Sequence, residues 1–248
     1  MSSTLVIQSH RSPLPYPWLD HCLESVRLWC EINEFEYQYV NDELFESTPE
    51  DLQEKLQTQK VIASDLARLH ALQEALNKGY RTVVWLDADF LIFYPEHFVL
   101  PDENYAVGRE VWVQNDDQGK LKVYKKVHNA LLMFRQGNSF LDFYRETAEK
   151  LLRQNEGSMP PQFIGPKLLT ALHNVARLTV MESAGMLSPM VIKDIVRGGG
   201  EALQCFVKRS PNAIAGANLC ISSRENEDIA CAEMEKVISI LIENRSII

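Results

Sequence analysis

Residues 81–93 read RTVVWLDADFLIF, two aspartates between two apolar runs. The first run, Arg81–Leu86, has almost no polar interruption, which predicts a strand buried on both faces. Asp87 and Asp89 follow this strand in an i, i+2 relation, so their side chains are expected on the same side. Ligands of open α/β sheets bind outside the carboxyl ends of the strands, and this pair is therefore the first candidate for a functional site.

The segment before this strand has the apolar spacing of a helix. Ser64 and Asp65 are predicted to cap it, and Lys78 with Gly79 to end it. Its inward positions are Leu66, Leu69, Leu72, Ala75 and Leu76. A helix that leads into a buried strand with paired acids at its end predicts an α/β fold.

Further elements are predicted on both sides of this unit, without internal repeats or linkers. The predicted strands are Leu5–Ile7, Glu36–Val40, Ala106–Val113, Lys122–Val127 and Asn129–Phe134. The predicted helices are Trp18–Ile32, Ser139–Arg153, one that opens at Gly165-Pro166, and Glu225–Asn244. The chain of 248 residues is interpreted as a single domain, 1–248.

The composition excludes several classes of partner. Lys and Arg total 25 against 34 Asp and Glu, a formal charge of −9, which argues against nucleic acid and against an anionic membrane surface. No apolar run reaches the roughly 18 residues of a transmembrane helix, and the N-terminus lacks the pattern of a secretory signal. The five cysteines form no CxxC pair, which favours a reducing, cytoplasmic compartment and oxygen ligands for any metal.

Two adjacent carboxylates suggest a bound cation. Asp87 and Asp89 would repel each other unless a cation lay between them, and Mg²⁺ or Mn²⁺ prefers such ligands. A metal held there can bind a nucleotide diphosphate. The alternative is that one aspartate caps the next turn and the other is solvated. Asp65 and Arg68, at i, i+3 on one helix face, either form a surface ion pair or face the same crevice.

Four stretches of the sequence resemble a known family. KVIASDLAR (60–68) and VWLDAD (84–89) are similar to glycosyltransferases with a DXD-containing sugar-binding region, whose members pair an SDxxR helix start with an hhxLDxD strand. NALLM (129–133) is similar to the family's segment beside the donor sugar, and FIGPKLLT (163–170) to its GPxxLT helix. The resemblance covers residues 5–173 in one consistent order.

The resemblance implies a GT-A fold, a Rossmann-like mixed sheet flanked by helices that binds a nucleotide-sugar. It implies a metal-dependent hexosyltransferase that uses Mn²⁺ or Mg²⁺ and a UDP- or GDP-sugar, and transfers the sugar, with retention, to an acceptor hydroxyl. Residues 1–135 would bind the nucleotide-sugar, and residues 136–248 would form the acceptor side and the C-terminal helical part.

The resemblance also implies roles for individual residues. Asp89 would ligate the metal, and Asp87 would touch the ribose or the metal. Asp65 and Arg68 would hold the donor sugar, Arg68 assisting as the diphosphate leaves, and Gln8 would lie near the base.

Three further positions have an ordinary structural alternative beside the functional one. Trp85 stands where an aromatic residue often precedes the acidic pair, but it is equally well explained as core. Asn129 is a donor-binding candidate or a strand cap. Asn218 is a candidate third metal ligand or a turn asparagine.

Other polar residues are given simpler interpretations. His128 is expected in a loop with its hydrogen bonds satisfied, and Arg109 as a solvated charge. Glu110, Asp116 and Asp117 are either a solvated acidic surface or part of an acceptor groove. The apolar run 237–242 of the last helix is expected to pack in the core or at a homodimer contact.

Two other functions compete with the transferase. A phosphatase of the haloacid-dehalogenase type also has an aspartate pair after an apolar strand, but its DxDxT/V motif lies near the N-terminus, and here Leu91 occupies the last motif position. A non-catalytic nucleotide-sugar-binding domain is the third alternative, and the intact Asp87 and Asp89 argue against it.

Overall fold

The computed structural model of the protein describes residues 3–220 and 231–247. In these ranges the strands are β1 (Thr4–Ser9), β2 (Glu36–Val40), β3 (Thr82–Leu86), β4 (Phe90–Ile92), β5 (Tyr105–Asn115), β6 (Leu121–Arg135), β7 (Val180–Met181), β8 (Ala184–Met186) and β9 (Gly216–Asn218). The helices are α1 (Leu19–Ile32), α2 (Glu50–Lys55), α3 (Lys60–Asn77), α4 (Phe140–Gln154), α5 (Pro166–Ala176), α6 (Pro189–Arg197), α7 (Glu201–Arg209) and α8 (Cys231–Asn244), with short 3₁₀ turns at Asp42–Ser47 and Pro95–His97.

The main sheet has the strand order β2-β1-β3-β6-β5-β7. β1 runs parallel to β2 and β3, whereas β6 is antiparallel to both of its neighbours, β3 and β5. Parallel neighbours need crossover connections, which α1 and α3 supply. The predicted class, an α/β fold with a Rossmann-like mixed sheet flanked by helices, is confirmed.

Strand β3 is buried on both faces, as its sequence predicts. Val83 and Trp85 belong to the apolar core that α3 covers, whereas Val84 and Leu86 belong to the core that α1 covers. Each fully buried side chain of this size stabilises the fold by about 1.5–3 kcal/mol. The strand is thereby fixed in register, and the acidic pair that follows it is held at the sheet edge.

A second, smaller sheet joins distant parts of the chain. Its order is β4-β9-β8, and β4 pairs antiparallel with β9 so that Phe90 lies opposite Asn218. β7 also pairs with β5 in the main sheet. Both sheets therefore contain strands from each side of residue 135, and the functional division 1–135 and 136–248 stays a prediction.

The predicted start of the helix before β3 is wrong. α3 begins at Lys60, one turn before Ser64. Asp65 does not cap the backbone, because its carboxylate is bound by the side chains of Arg68 and Asn129.

The two strands predicted at 122–127 and 129–134 are one long strand, β6. Gly108 pairs with His128, but the preceding Val107 pairs with Leu132, so residues 129–131 bulge between these pairs. His128 lies within the strand, not in a loop, and is fully buried. Its Nδ1 accepts a hydrogen bond from the Ala130 N–H at 3.1 Å, which leaves Nε2 to donate to the Ala184 carbonyl at 3.3 Å.

The C-terminal helix is confirmed over Cys231–Asn244, and residues 225–230 of its predicted span lie outside the described residues. Val237, Ile238 and Leu241 are buried in an apolar cluster with α6 and α7. This packing accounts for most of the apolar run. Within the described ranges, no helix combines the length and hydropathy needed to cross a bilayer.

Candidate active site

Asp87 is the first residue after β3 and is held from both sides. Its N–H donates to the Ala130 carbonyl of β6 at 3.0 Å. Its Oδ1 accepts from the Trp85 indole N–H at 2.7 Å and from the Arg68 guanidinium at 2.9 Å. A quarter of the side chain (25%) remains exposed. Asp87 is therefore fixed in orientation but still reachable by a ligand.

Asp89 is bound to the second sheet. Its Oδ1 accepts from Asn218 Nδ2 at 2.6 Å, while Asn218 Oδ1 accepts from the Cys220 N–H at 2.8 Å. A backbone N–H can only donate, so this second bond fixes which end of the amide faces Asp89. Asn218 thus orients Asp89 in the arrangement described, and its role as a third metal ligand stays a prediction.

Asp65, Arg68 and Asn129 form a buried polar cluster beside the acidic pair. Arg68 contacts Asp65 Oδ1 at 3.2 Å and donates to the Asn129 carbonyl at 2.9 Å. The Asn129 amide donates to the same Asp65 oxygen at 2.7 Å. The Asp65 and Arg68 side chains are only 4% and 8% exposed, which rules out a surface ion pair.

Asp65 has one oxygen without a hydrogen bond. Its Oδ2 is buried and has no partner among the described residues. Burial raises the pKa of this carboxyl to about 6, although the positive charge of Arg68 acts in the opposite direction. Gly165 lies against it, since a Cβ there would collide with Asp65 Oδ2. A buried acid whose pKa is perturbed by burial and by a specific charge is typical of functional sites.

These groups line one cavity of about 820 Å³. That volume lies in the range of small-molecule sites, about 300–1,000 Å³. The wall contains every residue predicted for the site except Gln8, namely Asp65, Arg68, Trp85, Asp87, Asp89, Asn129 and Asn218.

Gln8 lies behind the cavity wall. It is fully buried, and its amide donates to the Asp87 carbonyl at 3.0 Å and accepts from the Tyr37 hydroxyl at 3.1 Å. It therefore fixes the backbone of the acidic turn, and its contact with a base stays a prediction.

Trp85 lies in the core, as its structural interpretation predicts, and its role in donor binding stays a prediction. The indole is 2% exposed and packs in the core, but its N–H binds Asp87, and Arg68 lies 5.1 Å from the ring centroid. It therefore joins the core to the acidic pair.

The interpretation of Arg109 as a solvated charge is wrong. Arg109 is buried, and it donates from Nε and Nη2 to the two carboxylate oxygens of Glu182 at 2.8 and 2.6 Å. The partner lies just after β7, the neighbour of β5, so the pair follows from strand pairing that the local sequence does not reveal.

Glu110, left open between a solvated surface and an acceptor groove, and Trp112, which had no assigned role, also line the cavity. Glu110 is buried, not solvated, and Trp112 lies two residues further along β5 on the same face. The alternation of polar and apolar residues along β5 could have revealed these two residues, because it places 110 and 112 on one face of the strand and the buried Val111 on the other.

The donor set fits a hard divalent cation. The described residues contain no group of three or more His, Cys, Asp and Glu side chains that could hold a metal. At the end of β3, the carboxylates that line the cavity are those of Asp87 and Asp89. Mg²⁺ is commonly bound by one or two carboxylates, substrate phosphates and water, an arrangement that this pair allows.

Comparisons with known proteins give only distant likenesses. No protein-family model matches the chain, and no curated protein matches it. Among solved structures, a glycosyltransferase involved in glycosylation of the major capsid of PBCV-1 is 14% identical, with 95% of this chain and 98% of that chain covered and a TM-score of 0.48. The galactosyltransferase LgtC, in complex with donor and acceptor sugar analogs, is 11% identical, with 95% of both chains covered and a TM-score of 0.46. A 4-diphosphocytidyl-2C-methyl-D-erythritol synthase from Anaerococcus prevotii is 12% identical over 73% of this chain and 88% of that chain, with a TM-score of 0.37.

These structural neighbours include nucleotide-sugar glycosyltransferases, the class that the sequence resembles. Since their identities and TM-scores are low, these neighbours assign no activity to this chain.

Proposed function

We propose that the protein is a metal-dependent glycosyltransferase that moves a sugar from a UDP- or GDP-sugar to an acceptor hydroxyl. The observation that carries the proposal is the Asp87–Asp89 pair at the carboxyl end of a buried strand. Each carboxylate is oriented by a different partner, Arg68 for the first and Asn218 for the second. Both line a cavity of about 820 Å³, which has room for a nucleotide-sugar.

In this proposal Asp87 and Asp89 hold Mn²⁺ or Mg²⁺. The bound ion supplies charge neutralisation for the departing nucleoside diphosphate. Arg68 keeps a second positive charge next to Asp87, buried where electrostatic interactions are strong. The Trp85 indole N–H prevents Asp87 from rotating away from the cavity.

The donor sugar is placed against Asp65. A small shift of Gly165, which lies against the unpaired Oδ2, would open this acceptor to a sugar hydroxyl, while Oδ1 is kept in place by Asn129 and Arg68. Recognition of this kind is specific, because a donor that lacks the hydroxyl leaves the buried oxygen unpaired. Retention at the anomeric carbon is the outcome expected from the family resemblance.

The experiment is nucleotide release from a panel of UDP- and GDP-sugars, with Mn²⁺ or with EDTA. Wild type is compared with Asp87→Asn and Asp89→Asn, and with Asp142→Asn, which makes the same change on the exposed side of α4. We expect release from one donor that requires the metal. Both site variants should lose about 1000-fold, which corresponds to about 4 kcal/mol of transition-state stabilisation. The control should match wild type.

Each competing function predicts a different result. Donor binding without release, with or without simple sugar acceptors, would indicate a binding domain. Hydrolysis of p-nitrophenyl phosphate that depends on Asp87 would indicate a phosphatase. Full activity in a folded Asp89→Asn protein would refute the metal site.

A further inference from the structure

The hairpin formed by β5 and β6 builds a second wall of the same cavity. Glu110, Trp112 and Gln114 alternate along β5 and share one face, and Lys126 lies opposite Glu110 on β6. All four side chains line the cavity that contains Asp87. We call this set of four residues the hairpin wall.

Glu110 is buried at the cavity wall. It is 8% exposed, and its carboxylate makes no hydrogen bond or ion pair with any described residue. Lys126 contributes a favourable charge across the ladder, but its Nζ lies over the Tyr124 ring, 5.2 Å from the centroid. Burial accordingly raises the pKa of Glu110. Because Glu110 lines the cavity, a ligand bound there can donate hydrogen bonds to its carboxylate.

Trp112 places an aromatic surface beside this acceptor. Its indole N–H donates to Gln114 Oε1 at 2.8 Å, so its polar end is occupied within the wall. The partly exposed ring is left to offer its apolar face to the cavity. A flat apolar surface beside a carboxylate matches a sugar ring, which has C–H faces and hydroxyl edges.

The hairpin wall comes mainly from a different element than Asp65 and Arg68, which are assigned to the donor. The strand order β1-β3-β6-β5 separates β5 from β3 by one strand. Asp65 and Arg68 approach from α3, whereas Glu110 and Trp112 approach from β5. A molecule on the wall would therefore share one cavity with the acidic pair.

We propose that the hairpin wall is the acceptor subsite and that the acceptor is a carbohydrate, with Trp112 packed against a sugar ring and Glu110 accepting a hydrogen bond from a sugar hydroxyl. This inference rests on the proposed function. It places the acceptor on the β5–β6 hairpin, where Glu110 was one candidate for an acceptor groove, and not on residues 136–248, to which the resemblance assigned the acceptor side.

The test uses the methyl glycosides of glucose, galactose and mannose as probes. Saturation-transfer NMR measures the binding of these glycosides to the whole protein. Their use as acceptors is measured by nucleotide release from the donor that the panel of UDP- and GDP-sugars selects. The variants are Trp112→Ala and Glu110→Gln. The controls are Phe143→Ala, an exposed aromatic on α4, and Glu103→Gln, an exposed acid before β5. Calorimetric titration of the donor with Mn²⁺ checks that each protein keeps its donor site.

We expect one glycoside to bind wild type and to stimulate nucleotide release. Trp112→Ala should raise the KM for that glycoside at least about tenfold, and Glu110→Gln should lower kcat/KM for it by about 10- to 100-fold, equivalent to one or two lost hydrogen bonds. In both variants the affinity for the donor should stay within about threefold of the wild-type value, a difference of less than about 1 kcal/mol in binding free energy.

Unchanged glycoside kinetics in both variants would overturn the inference while leaving the transferase intact. A wild-type protein that binds no glycoside in the NMR experiment would also overturn it. Conversely, glycoside binding that Trp112→Ala abolishes, in a protein that releases nucleotide from no donor, would support the subsite and refute the transferase.

Discussion

Asp65→Asn is expected to make the protein more stable at neutral pH while removing a proposed donor contact. In the folded protein the pKa of Asp65 is about 6, against an ordinary value of 3.8, because burial disfavours the charged form. The folded state therefore binds the proton more tightly than the unfolded state does. The neutral form is stabilised below pH 4, and stability is lost as the pH rises through 6.

The size of the effect follows from the pKa. At about 1.4 kcal/mol per pH unit, the rise corresponds to a penalty of about 3 kcal/mol above pH 6. Asparagine has the same shape and no charge to desolvate. The variant should therefore match wild type near pH 4 and exceed its free energy of unfolding by about 1–3 kcal/mol at pH 7.5. The lower limit allows for the weakened contact with Arg68, now paired only with Asp87.

Urea unfolding of both proteins between pH 4 and 8 measures this difference. Acid titration of His128, whose pKa burial lowers to about 4, affects both proteins equally and cancels in the comparison. Asp51→Asn is the control of opposite sign, because the hydrogen bond from Arg153 lowers the pKa of Asp51. A difference for Asp65→Asn that does not vary with pH, or a variant less stable than wild type at pH 7.5, would refute the reasoning.

Three further changes test the supports of the site. Asn218→Ala removes the hydrogen bond to Asp89. We expect the free energy of unfolding in urea to fall by about 1–3 kcal/mol and Mn²⁺ binding, measured by calorimetry, to weaken 10- to 100-fold. An unchanged metal affinity would contradict this prediction. Gly108→Ala places a methyl group against the His128 ring and should lower the free energy of unfolding, measured by thermal denaturation, by about 1–3 kcal/mol. Adding His128→Ala should restore part of this loss. If the effects of the two substitutions on stability simply add, the collision is excluded. Trp85→Phe keeps an aromatic ring in the core but removes the indole N–H that binds Asp87. Calorimetric titration should show donor binding about fivefold weaker than in wild type, and an unchanged circular dichroism spectrum should show that the fold is intact.

The local sequence was sufficient for the elements that approach the acidic pair. The apolar run 82–86 predicted a strand buried on both faces, and Val83 and Val84 do lie in different cores. The order of the motifs at 60–68, 84–89 and 129–133 predicted groups that line one cavity. Periodicity reveals the buried strand because each element is stabilised mainly by its own apolar face, whereas the grouping of the motifs was implied by the family resemblance.

Contacts between distant strands could not be predicted in this way. Arg109 and Glu182 are paired because β7 adds to β5, and nothing near either residue specifies that register. The start of α3 was placed at Ser64 because Ser64 and Asp65 resemble a cap, but the tertiary partners of Asp65 outweigh its capping preference. Glu110 was left open between surface and groove, since burial of a charge depends on the neighbouring strand.

The small sheet has a consequence for how the protein is made. β9 is inserted between β4 and β8, and its Asn218 completes the surroundings of Asp89, 129 positions earlier in the chain. During synthesis, at roughly 5–20 residues per second, β4 waits several seconds before its partner leaves the ribosome. Over that interval β4 is an unpaired apolar edge, open to pairing with another nascent chain. Truncations that remove β9 should therefore give aggregated protein in which Asp89 lacks its Asn218 partner, and not a smaller folded domain.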